Sequence, residues 1–240
     1  MTDTLAPERP AATAHELRLA ALRTELKARG LDGFVIPISD EHMSEYVGGY
    51  AQRLGWLTGF GGSAGTAAVL AEKAAMFVDG RYTLQVREQV DGRLYEYQSV
   101  PATSVAEWLA ANAPAGGKIG FDPWLHGKPW VDAVNHALRG KGASLEPVEG
   151  NPIDAVWADQ PAPSPAVALV HPADLAGQSS EAKRSAVAEW LTARGMDAAV
   201  ISALDSVAWL LNIRGSDVDR TPVALSFVLA HADGTAELFI

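Results

Sequence analysis

The sequence contains no cysteine, which removes disulfide scaffolds, zinc–thiolate centres and cysteine nucleophiles from consideration. It is also short of positive charge. Nineteen Lys and Arg stand against 29 Asp and Glu, a formal net charge of -10. Phosphate backbones are bound by clustered Lys and Arg, so nucleic acid is not an expected partner, and an anionic membrane surface is disfavoured on the same ground. A membrane-spanning run is missing too. The longest uncharged stretch, Leu54 to Ala71, holds five glycines with Ser and Thr, whereas a bilayer helix needs about 20 mostly apolar residues. The N-terminus carries charges within its first ten residues and has no apolar segment of signal-peptide type. The chain is read, by default, as cytoplasmic.

What remains is a soluble globular profile. With 240 residues, 48% of them hydrophobic, the chain can build one large core or two ordinary ones. Residues 1–12 show Ala, Pro and charge without periodicity and are expected to be disordered. Thr13 followed by Glu16 has the pattern of a capping box. Leu19, Leu22 and Leu26 then share a helical face, and Gly30 suits the left-handed position after the helix end. "GFVIPI" (33–38) reads as a buried strand and "SDEHMSEYV" as a short helix after Ser39. "TAAVLAEKAAMFVD" (66–79) reads as two strands joined at Glu72-Lys73, and "GRYTLQVREQV" as a helix. Further on, "LYEYQSV", "KIGFD" and "SLEPVE" read as strands. Ser104 and Glu107 open a helix through Asn112, "PWVDAVNHALRG" is a helix closed by Gly140, and "PIDAVWAD" is a short helix. Alternation of strands and helices predicts an α/β domain with a mixed sheet.

"QPAPSPA" (160–166) carries three prolines in seven residues, a stiff linker and domain boundary. Beyond it the opening pattern returns. "LKARGLDGFVIPISDE" (26–41) aligns with "LTARGMDAAVISALDS" (191–206), Ala28-Arg29-Gly30 falling on Ala193-Arg194-Gly195 at an offset of 165. "AAVLAEKAAMFV" resembles "LSFVLAHADGTAELFI", in which Asp233-Gly234 is a good hairpin turn. The order helix, strand, short helix, glycine-containing loop, hairpin thus occurs twice. The expected division is a first domain over 1–158, a linker over 159–169 and a partial second copy of the same fold over 170–240. Because the first copy continues for about 80 residues past its hairpin and the second stops on "AELFI", these residues are expected to be a fragment of a longer chain.

Four stretches invite chemistry. The glycine loop "GFGGSAGT" lacks the Gly-Lys-Ser/Thr of a P-loop and runs into a strand rather than a long helix; a tight structural connection is the better reading. "SDEH" (39–42) groups Asp40, Glu41 and His42, but adjacent residues point apart, no HExxH spacing exists, and metal sites draw ligands from several elements. Ser63 in "GGSAG" has the letters of G-x-S-x-G, but the stretch runs into a strand rather than the helix that a nucleophile elbow opens. "VDGRYTLQ" (78–85) is sharper: Arg81 sits where a cation opposes a helix dipole, so another group must hold it. Either Asp79 pairs with it, which spacing alone favours, or an external carboxylate or carbonyl does, since a guanidinium suits planar acceptors.

With these residues in view, "DEHMSEYVGGYAQRLGWLTGFGGSAGTAAVLAEKAAMFVDGRYTLQVREQVD" resembles the first domain of aminopeptidase P, the Xaa-Pro aminopeptidase of the creatinase/prolidase superfamily. "LDSVAWLLNIRGSDVDRTPVALSFVLAHADGTAELFI" resembles the second domain of its long, three-domain cytosolic type. The resemblance runs from about Leu17 to Ile240. It rests on H-x-SEY, GF-x-GSAGT, DGRY and WL-x-N-x-RGSD in this order; Gly61 stands where the family often has Asp. It implies two related N-terminal α/β domains, then a C-terminal pita-bread domain whose two metals, usually manganese, are held by two Asp, one His and two Glu. A bridging water there attacks the bond before a proline at position two. None of those ligands maps onto this chain, so no catalytic residue, metal ligand or cofactor is expected within it. The DGRY arginine maps onto Arg81, implying a substrate-binding role, and the glycine loop stays structural. The implied job is substrate restriction and subunit pairing in a homodimer that acts on peptides with proline second, the chain alone being inactive. Two alternatives stand beside it: part of another hydrolase of the superfamily, or a free-standing α/β binding or dimerisation module.

Overall fold

A computed structural model describes residues 12–240. The disorder expected over 1–12 therefore concerns, apart from the exposed Ala12, residues outside those described.

Helix α1 (Ala14–Ala28) starts where the Thr13 hydroxyl accepts from Glu16 N, and it buries Leu19, Leu22 and Leu26. It ends before Gly30, whose φ of +69° is the left-handed cap. Strand β1 (Gly33–Pro37) follows, then α2 (Arg53–Thr58), β2 (Thr66–Leu70), β3 (Ala74–Val78), α3 (Gln85–Gln89) and β4 (Glu96–Ser99). Helix α4 (Val105–Asn112) carries the full capping box, Ser104 and Glu107 each bonding the other's backbone. The first half closes with β5 (Lys118–Phe121), α5 (Lys128–Leu138), β6 (Ser144–Pro147) and α6 (Pro152–Val156). Its sheet has the order β4-β3-β2-β1-β5-β6. The β2–β3 hairpin is antiparallel, while β3–β4, β1–β5 and β5–β6 are parallel, so the sheet is mixed.

Both sheet faces are sealed, which is why β1 to β3 read as continuous apolar runs. Val35, Ala68, Ala75 and Phe77 form one core with Trp108 and Leu109 of α4 and Val134 and Leu138 of α5. Phe34 and Ile36, which alternate with Val35 and face the other way, are as deeply buried. Helices α1, α2 and α6 pack on one another.

Three local expectations are corrected. "SDEHMSEYV" is a string of turns rather than a helix, because the Asp40 carboxylate accepts from His42 N and Ser44 N and so offers the backbone an alternative to helical bonds. Met43 takes a φ of 57° there. "GRYTLQVREQV" splits into a 3-10 turn, Gly80–Tyr82, and the short α3. Helix α5 ends at Leu138, and the left-handed cap is Gly142, φ +63°, after a 3-10 turn over Arg139–Lys141; Gly140 does not close it.

The second half contains β7 (Leu169–Val170), α7 (Ala173–Ala176), α8 (Ser180–Thr192), β8 (Ala198–Ile201), α9 (Leu204–Leu211), β9 (Ile213–Arg214), β10 (Phe227–His231) and β11 (Ala236–Phe239). Its main sheet, β11-β10-β8, repeats the order β3-β2-β1 of the first, with α8 and α9 in the places of α1 and α2. Gly195, φ +65°, again follows the first helix of the copy. Val207, Leu210, Val228 and Ala230 form its core. Lys183 is buried, yet its ammonium bonds Trp209 O at 2.9 Å and Asn212 Oδ1 at 2.6 Å, a cation placed at the C-terminal, negative end of α9.

In space the chain forms two compact units. The first comprises residues up to Ile36 together with Arg53–Asp122 and Lys128–Ala158; the second comprises Pro37–Gln52, Pro123–Gly127 and Asp159–Ile240. Residues 160–168 form no helix or strand.

Candidate functional site

The stretch that carried the sharpest expectation lies at the end of β3. After Val78 the chain stays extended through Asp79, whose carboxylate accepts from Arg81 N at 2.9 Å and turns the backbone. The Arg81 guanidinium folds back onto the same carboxylate, with Nε donating at 3.1 and 3.2 Å and Nη2 at 2.8 Å. The ion pair that spacing favoured is therefore present. The Arg81 hydrogen bonds hold the Asp79 carboxyl below the usual range. Arg81 remains 63% exposed along its side chain, so the pair is a surface feature that orients the guanidinium more than it stabilises the fold. The guanidinium carbon lies 5.2 Å from the Tyr82 ring centroid, a cation–π contact.

Tyr82 ties this turn to the glycine loop. Its hydroxyl accepts from Ser63 N at 3.1 Å and shares a 2.8 Å bond with Ser63 Oγ. The Ser63 bonds lower the phenol's pKa. Phe60 meets the Tyr82 ring edge-on at 5.5 Å. A Cβ at Gly62 would come within 2.4 Å of Phe60 and 2.7 Å of Tyr82, a distance no real contact shows. The glycines of this loop let the backbone pass close to two aromatic rings, which is the structural reading. Ser63 Oγ shares its 2.8 Å bond with the Tyr82 phenol, a structural tie between the loop and the turn. Beside Asp79, between β2, β3, α4 and α5, runs a cleft of about 440 Å³ whose wall includes Thr66, Val100, Ser104 and Trp130.

The "SDEH" residues do not converge. Asp40 is fully buried and spends one oxygen on its own turn. Glu41 accepts from Tyr50 Oη at 2.7 Å. His42 bonds Ser202 O at 3.0 Å and stacks on Phe227 at 4.4 Å. Among the described residues no group of three or more His, Asp or Glu side chains could hold a metal ion, and no helix is long and apolar enough to cross a membrane. The link between Ser63 and Tyr82 had no counterpart in the sequence reading. No local pattern marks a bond across 19 residues.

Comparison with known proteins fits this fold. Two family models, both described as Creatinase/Prolidase N-terminal domain, match residues 18–156 and 159–240. Xaa-Pro aminopeptidase 2 of Rattus norvegicus is 34% identical over 227 residues, covering 93% of this chain and 34% of that protein. The probable Xaa-Pro aminopeptidase P of Coccidioides posadasii is 38% identical over 241 residues, covering 98% of this chain and 36% of its own length. The chain thus spans about a third of the length of the curated relatives it matches. Among solved structures, the X-prolyl aminopeptidase of Caenorhabditis elegans superposes with a TM-score of 0.88 at 30% identity, over 95% of this chain and 39% of that one. That protein is described as a cytosolic enzyme with a di-nuclear active site.

Proposed function

The chain belongs to the creatinase/prolidase N-terminal domain family, and from that premise we propose that it is a non-catalytic part of a metal-dependent Xaa-Pro aminopeptidase, which releases the residue preceding a proline at a peptide's N-terminus. One observation carries the reading: relatives of that name match nearly the whole chain, through both of its halves, at 34% and 38% identity.

In this reading the two halves, divided at the proline-rich 159–169, restrict access of long chains to a reaction centre and pair subunits in a homodimer working in the cytoplasm. Arg81 is the residue that faces the substrate. Asp79 holds its guanidinium in one orientation, ready for a planar carbonyl or carboxylate. The two metals, taken as manganese, belong with ligands outside these residues. Asp40 and His42 do not fit a metal pair, since among the described residues no group of three or more His, Asp or Glu side chains could hold a metal ion.

Two measurements test the proposal. Incubated with Mn²⁺ and an Xaa-Pro peptide, this chain gives no hydrolysis above a metal-free blank; clear turnover ends the non-catalytic reading. Titration with an Ala-Pro peptide shifts the Arg81 Nε–H resonance, and an unmoved resonance at millimolar peptide removes Arg81 from the role.

A further inference from the structure

The last four carbonyls of a helix have no partner within it. Helices α2 and α9 are short, and a glycine-containing loop leaves the end of each. Both ends are finished by the first helix of their own copy. In the first unit Arg18 Nη1 donates to Trp56 O at 2.6 Å, and its guanidinium carbon lies 4.8 Å from the Trp56 ring centroid. His15 Nδ1 meets Leu57 O at 3.2 Å; a carbonyl only accepts, so the imidazole donates. In the second unit Lys183 Nζ donates to Trp209 O at 2.9 Å and lies 4.7 Å from the Trp209 ring centroid. Ser180 Oγ donates to Leu210 O at 2.9 Å.

These four contacts are two equivalent pairs. His15 and Ser180, like Arg18 and Lys183, stand at the offset of 165 that relates the copies. Trp56 and Trp209 are each third from the end of their helix, and Leu57 and Leu210 each second. Just past the helix, Gly59 and Asn212 take positive φ values of 84° and 51° and turn the chain away. The side chains differ between the copies, an imidazole against a hydroxyl and a guanidinium against an ammonium. The carbonyls they reach do not differ. What recurs is a hydrogen bond, a cation at the negative end of a helix dipole and an indole beneath that cation. Lys183 is 3% exposed, a burial tolerated because its ammonium is bonded.

The course of the loop gives the contact its use. Phe60 N donates back to Thr58 Oγ1 at 3.1 Å, and the loop then carries Ser63 to the Tyr82 hydroxyl. Tyr82 stands against Arg81. The direction in which the chain leaves α2 thus sets where Ser63 arrives. In the second unit the loop passes Gly215, where a Cβ would come within 2.6 Å of Val223 O, so its path has little slack.

We propose that Arg18 and Lys183 are positioning residues, one in each unit, which latch the end of the second helix and so fix the course of the loop that leaves it. His15 and Ser180 support them at the next carbonyl. Any benefit to Arg81 rests on the substrate-facing reading above, whereas the placement of the loop does not.

The experiment compares Arg18→Lys, which installs the second copy's own cation, with Arg18→Met, which keeps a long stem and removes donor and charge. NMR of this chain reads the Ser63 amide and the Tyr82 phenol, whose pKa the Ser63 bonds lower. In Arg18→Met the Ser63 amide resonance shifts and Tyr82 titrates closer to its ordinary 10.0; in Arg18→Lys both stay at the parent values. Urea unfolding, measured alongside, separates stability from position. An Arg18→Met protein that is less stable but leaves both signals in place overturns the proposal, and so does an Arg18→Lys protein that moves them as far as Arg18→Met. Should Arg18→Met not fold, His15→Ala carries the test on the same two signals, and unmoved signals there overturn it. Lys183→Arg against Lys183→Met, read at the Asn212 and Gly215 amides, repeats the comparison in the second unit. These signals are separate from the Ala-Pro titration that tests Arg81.

Discussion

Val35 and Val200 occupy the same place in the two copies, 165 residues apart, yet one is 0% and the other 75% exposed. Val35 lies beneath α4 and α5. Val200 stands on the outer face of β8, across from the half-buried Leu229 of β10, and Phe239 on β11, one strand further, is 54% exposed. The same substitution at both positions isolates what burial contributes. Val→Thr keeps volume, β-branching and strand propensity and changes only polarity. At position 35 the new hydroxyl enters a sealed apolar core without a partner, at a cost of about 2 kcal/mol. For a unit of roughly 150 residues that lowers Tm by about 4–8 °C. At position 200 the hydroxyl meets water, and the change stays within about 0.5 kcal/mol, as for ordinary surface positions. Thermal unfolding followed by circular dichroism, with urea unfolding as a second measure, reads both. If Val200→Thr destabilises as much as Val35→Thr, the outer face of the second sheet is covered in solution and the contrast drawn from the two copies is wrong.

Two further outcomes follow from ion pairs in the first unit. Asp154 grips Arg53 through bonds of 2.7 and 2.8 Å, and the Arg53 side chain is only 10% exposed. Asp154→Asn removes the carboxylate charge from this pair and should lower stability by about 2 kcal/mol, less than for a fully buried pair because Asp154 is partly wet; a urea midpoint matching the parent protein would count against it. Arg93 hydrogen bonds hold the Asp91 carboxyl down to about 2 from its ordinary 3.8. The folded state therefore gains from Asp91 fully above the unfolded value and loses that gain as pH falls from about 4 to 2. Carboxyl ¹³C titration should place the midpoint near 2, and Asp91→Asn should remove that part of the acid sensitivity; a midpoint near 4 contradicts the pairing.

Much of the first unit was legible in the residues because its signals are local. Thr13 and Ser104 bond backbone three residues on, the Leu19-Leu22-Leu26 spacing marks a buried face, and Gly30 and Gly195 take the left-handed conformation a side chain resists. The misreadings were local as well. In "SDEH" and "DGRY" a carboxylate competes for backbone N–H groups, and periodicity does not register such competition. The duplication, the α/β class and the family were also set by order and composition along the chain. Tertiary structure alone decided the rest. It brought His42 to Ser202 across 160 residues. It tied Ser63 to Tyr82, so the glycines serve packing. It left Val200 bare where Val35 is sealed. Propensity, capping and turn geometry depend on neighbours in the chain, whereas burial and the meeting of distant polar groups depend on what packs against them in space.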